Sequence, residues 1–144
     1  MSAAPMRPAP APDRVGRPTR ALLLLSAVHA TYVGAAMLLA PGRYYAPTGL
    51  AMTPPVGMVV RAQGATWLGL GVVAWLARRG ERRQAVTALA GHLVVQSAAA
   101  AVAVQGRAHL PRPALLVDLG GHALLALAFG TALAVALARR PAPG

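Results

Sequence analysis

Val60-Arg61-Ala62-Gln63-Gly64-Ala65-Thr66-Trp67-Leu68-Gly69-Leu70-Gly71 sets three glycines and an arginine into apolar sequence. It lies inside an apolar run from Gly57 to Ala77. About 20 mostly apolar residues are enough for a helix to cross the hydrocarbon of a bilayer. Yet Arg61 and Gln63 stand just inside the first end of this run. A charge at mid-membrane costs about 2.5–3.5 kcal/mol on insertion scales, and less near an interface, so something must compensate Arg61. At helical spacing Arg61 shares a stripe with Gly57, Gly64, Leu68 and Gly71. Small residues mark the face where another membrane helix approaches closely. The reading is a packed glycine stripe with Arg61 turned into a helix bundle.

Composition agrees. The 144 residues suit one domain, 56% of them are apolar, only 12% are charged, and mean hydropathy is +0.53. That balance excludes a disordered chain and argues against an ordinary soluble domain. No cysteine is present, which excludes disulfides, iron–sulfur clusters and thiolate chemistry. All 14 basic residues are arginine and the net charge is +11. Most of them flank apolar runs, which suits membrane topology and anionic headgroups, and no nucleic-acid partner is expected.

Three more runs accompany the first. Residues 1–20 read as a disordered Pro/Arg-rich tail, since proline blocks helix and no core can form there. Residues 21–40 form a Leu-rich run that fits either a signal peptide or an uncleaved helix, and its length favours the helix. A Pro/Gly-rich loop with Arg43-Tyr44-Tyr45 follows, and its tyrosines suit the headgroup level. Residues 85–105 and 114–138 give two further spans, and 139–144 a short tail. The expected fold is all-α, an integral membrane up-down four-helix bundle over residues 21–138, with spans at 21–40, 57–77, 85–105 and 114–138. The tails and the Arg78–Arg83 hairpin carry most of the arginines, so both termini are expected in the cytoplasm of a multi-pass protein of the bacterial inner membrane.

Several polar residues fall inside the spans. Asp118 is the only acidic one. Counted from the helix ends it matches the depth of Arg61, so an Arg61–Asp118 pair is expected, as a structural lock before a functional site. His122 follows Asp118 by one helical turn, and Gly120 and Gly121 between them permit close packing or room for a ligand. That is the minimum kit for a proton relay, although a core histidine bonded to a neighbouring helix is the plainer reading. His29 and His92 fall at one depth, with Ser26 and Gln96 on their faces. Paired histidines can hold haem iron, so His29 and His92 are candidate haem ligands, at a level His122 does not share. Gln63, Gln96, His29, His92 and His122 together are candidate positions for a ligand or a proton. Trp67 reads as packing between helices and His109 as a solvated loop residue. No P-loop, dinucleotide fingerprint, HExxH or GxSxG occurs.

Arg61 near the start of the second span, then Gly64 and Leu68-Gly69-Leu70-Gly71, then an Arg-rich hairpin and two Ala/Gly-rich spans, resemble the DoxX-like group of small four-helix bacterial membrane proteins. The resemblance implies a four-helix fold and, for some members, a place as a small membrane subunit of quinone-dependent oxidoreductases. The expected role is therefore a non-catalytic accessory or structural subunit without a cofactor of its own. It would sit in the lipid bilayer, within a larger complex or a homo-oligomer. The alternatives are a quinone-, lipid- or haem-binding protein and a dimeric proton-coupled transporter.

Overall fold

The computed structural model describes residues 15–108 and 111–138. The expected disorder of the extreme N-terminus, the C-terminal tail and the solvated His109 lie outside the described residues. The described residues form five α-helices, α1 (Arg17–Leu39), α2 (Pro41–Tyr45), α3 (Pro54–Ala77), α4 (Arg82–Gln105) and α5 (Arg112–Ala138), with a 3-10 turn at Ala46–Thr48. All but α2 are long and apolar enough to cross a membrane. The fold is an all-α bundle.

Each long helix starts a few residues ahead of its apolar run. Proline explains three of these early starts. Pro18, Pro54-Pro55 and Pro113 lie in first turns, where a missing N–H costs nothing and the fixed φ already suits a helix. Residues 17–20 are thus helix, not tail. At α4 the start is capped instead, the Glu81 N–H donating to Gln84 Oε1 at 3.0 Å. The connection after α1 is also more regular than its prolines suggest. Pro41 opens α2 directly, and Gly49 closes the 3-10 turn at φ +72°, a conformation that favours glycine.

Helix α1 packs along α3, and α4 along α5. The first pair is fitted by glycine. A Cβ on Gly34 would stand 2.7 Å from the Gly64 carbonyl oxygen, and one on Gly64 would stand 2.8 Å from the Gly34 carbonyl oxygen. Gly71 meets Thr31 Oγ1 in the same way, at 2.7 Å. Gly64 and Gly71 of the α3 stripe therefore line a close helix–helix seam, Gly34 is the partner of Gly64 on α1, and Gly57 faces Arg61 and Met52 instead.

The two pairs join mainly at the end that carries the α3–α4 hairpin. There Leu23, Ala27, Ala74, Ala77, Leu89 and Phe129 belong to one buried cluster. Arg82 fastens this end, donating from Nε to the Ala136 carbonyl at 2.8 Å and from Nη2 to the Leu137 carbonyl at 3.5 Å, where the last carbonyls of α5 need donors. A second cluster, with Ala30, Val33, Met37, Val60 and Trp67, fills the far end between α1 and α3 under Tyr44 and Tyr45. Beyond Gln96, α4 buries only Ala103, and α5 buries only Phe129 and Ala136. The bundle is closed at the hairpin end and thinly packed at the other.

Candidate functional site

The polar residues of the spans meet where the close packing gives way. His92 and Gln96, one turn apart on α4, are both 1% exposed. Ser26 on α1 puts its hydroxyl 3.2 Å from each ring nitrogen of His92. Phe129 on α5 stacks on the same ring, centroids 4.8 Å apart and planes 15° apart. Gln96 reaches α5 instead, where its Oε1 accepts from His122 Nδ1–H at 2.6 Å. On its other side His122 Nε2 lies 3.4 Å from Asp118 Oδ1. Trp67 on α3 stacks over His122 at 6.3 Å, and His29 on α1 meets Trp67 edge-on at 5.9 Å. Four helices thus contribute to a polar cluster with two bonded parts, the Ser26–His92 pair in the core and, one turn along α4, the polar chain Gln96–His122–Asp118, which ends at an Asp118 that is 51% exposed.

Arg61 does not join this chain. Asp118 pairs with His122, and among the described residues Arg61 has no carboxylate partner. Depth was the wrong criterion, because rotation about the axis separates the two. Arg61 lies six residues before Trp67, which at about 100° per residue turns it roughly 120° away from the face that meets His122. Its guanidinium folds back along α3, with Nη1 3.3 Å from where a Cβ on Gly57 would sit. Arg61 so reaches toward the helix end, as long cationic side chains do near an interface. Gly57 leaves it the room.

Other sequence-picked residues also find new places. His122 was expected at a different level from His29, yet Trp67 lies between the two. Gly121 is exposed and a Cβ there would meet nothing within 4 Å, so close packing falls to Gly34 instead. Gln63 is exposed, lining a groove of about 400 Å³ with Tyr45, Pro55 and Val59. Haem ligation by His29 and His92 would require displacing Phe129 and the Ser26 hydroxyl. Among the described residues no three His, Asp or Glu side chains converge to hold a metal ion. Tyr44 and Tyr45, read from sequence only as interfacial, lie close enough to Asp118 to feel its charge. Burial first, and Asp118 after it, raises the Tyr44 phenol, and burial, Tyr44 and Asp118 raise Tyr45.

A family model described as a domain of unknown function, DUF4345, matches residues 18–105, more than half of the chain. The chain belongs to the DUF4345 family. The matched region holds Ser26, His29, Trp67, His92 and Gln96, while Asp118 and His122 on α5 lie beyond it. No curated protein and no solved structure matches the chain.

Proposed function

We propose that this DUF4345 member is a non-catalytic accessory subunit of a bacterial inner-membrane complex, with both termini and the Arg-rich hairpin in the cytoplasm. The observation that carries this reading is the state of α5. It is the longest helix, at 27 residues, yet it buries only Phe129 and Ala136 and leaves Asp118 half exposed within an apolar segment. A carboxylate is costly in that setting, and a membrane helix of another chain laid along α5 would cover it. The DoxX-like resemblance implies a role of the same kind. Native mass spectrometry after gentle extraction from the host membrane tests it. Co-migration with other chains in fixed ratio supports the reading, and a protein that travels alone overturns it.

The bond between His122 and Gln96 favours a second reading, a protein that handles a proton or a small molecule such as a quinone or a lipid beside the polar chain. If a dimer carries proton-coupled flux in liposomes, Asp118→Asn abolishes that flux while the protein stays folded. Flux that survives the substitution removes this reading.

A further inference from the structure

At the hairpin end, on the outer surface of the α1–α3 pair, an apolar groove of about 450 Å³ runs between the two helices, lined by Val28, Thr31, Tyr32, Gly71, Val72 and Trp75. The seam glycine Gly71 has no side chain to fill it. The groove ends at Trp75, and there it changes character. The Arg78 guanidinium carbon lies 3.4 Å from the centre of the Trp75 ring, close enough for the ring face to attract the cation. The stack pins the guanidinium at the mouth of the groove. Arg78 Nε is shielded from solvent and has no hydrogen-bond partner. A hydrocarbon-lined channel that ends at a fixed guanidinium is complementary to a chain that is apolar along its length and anionic at one end.

We infer that this groove holds one anionic phospholipid of the leaflet on the Arg-rich side. An acyl chain lies along Val28, Tyr32 and Val72, and the phosphate accepts from Arg78. Arginine suits the role because its planar fork donates to two phosphate oxygens at once. The site is separate from the polar chain and holds whether or not the protein is a subunit of a complex.

Native mass spectrometry of the delipidated protein, back-loaded with phosphatidylglycerol or phosphatidylcholine, tests the inference. Wild type is expected to retain one phosphatidylglycerol about fivefold more tightly than phosphatidylcholine, whose choline cation offsets its phosphate, from one arginine acting on a headgroup of net negative charge. Arg78→Gln removes that preference and leaves phosphatidylcholine retention unchanged. Val72→Trp fills the groove, keeps Arg78 and weakens both lipids. Circular dichroism confirms that each variant is folded, and Trp75→Leu replaces any variant that is not. Excess inorganic phosphate leaves the adduct in place. Equal retention of the two lipids by wild type, a preference that survives Arg78→Gln, or displacement by free phosphate each overturns the lipid site.

Discussion

Gln96 Oε1 on α4 lies 2.6 Å from His122 Nδ1 on α5, and this contact fixes the tautomer of the imidazole. The amide oxygen can only accept, so Nδ1 carries the hydrogen. His122 Nε2 then faces Asp118 Oδ1 at 3.4 Å with room for one shared proton. Gln96→Leu keeps the bulk and leaves Nδ1–H without an acceptor in a nearly dry site. A loss of about 1–2 kcal/mol is expected, the upper part of the range for hydrogen bonds between membrane helices. Reversible unfolding in mixed micelles measures the loss, and nitrogen NMR of His122 reads the tautomer. A wild-type spectrum with the hydrogen on Nε2 contradicts the assignment.

The α1–α3 seam predicts a contrast among glycines. Gly34→Ala and Gly64→Ala each drive a methyl into the backbone of the facing helix and are expected to cost about 1–3 kcal/mol, as overpacking does. Gly91→Ala, Gly120→Ala and Gly121→Ala meet open space. With no clash, they are expected to be neutral or to gain up to about 1 kcal/mol from helix propensity. Equal effects across the two sets, in the same unfolding assay, would be incompatible with a close seam.

The separation of Arg61 from Asp118 is open to a double-mutant cycle. Arg61→Gln with Asp118→Asn is expected to be additive within about 0.5 kcal/mol, as for residues that share no contact. Asp118→Asn with His122→Phe is expected to couple by more than that, because the two side chains touch. Strong coupling in the first cycle would restore the lock that helix depth alone suggests.

Much of the fold is legible in the sequence because bilayer thickness and a period of 3.6 residues leave few choices for four apolar runs joined by one Pro/Gly-rich loop and two short turns that carry arginine. The glycine stripe at Gly57, Gly64 and Gly71 is legible for the same reason. Gly34 is not, since one glycine among the alanines and leucines of α1 carries no pattern until the facing helix is in place. The site divides along the same line. Asp118 and His122 are one turn apart on one helix, and local spacing brings them together. His122 meets Gln96, and Asp118 nears Tyr44, only through the relative rotation of helices. Depth counting cannot supply that rotation, and Arg61 shows the consequence.

The placement of Tyr44 and Tyr45 gives a pH dependence with a definite sign. A tyrosine ordinarily titrates near 10. In the folded chain both phenols are raised, by burial first and in part by Asp118. A raised acid keeps its proton longer folded than unfolded, so the folded state binds more protons as pH climbs past about 10, and stability falls with rising pH there. The contribution is intact below that value and is lost above it. Asp118→Asn removes the share that comes from Asp118 and leaves burial and the effect of Tyr44 on Tyr45 in place. Tyrosinate absorbance, followed in a Tyr32→Phe background so that only this pair reports, is expected to show a lower midpoint in the Asp118→Asn protein, still above that of an exposed tyrosine. An unchanged midpoint would mean that Asp118 carries no charge beside the tyrosines, and the open end of the polar chain would have to be redrawn.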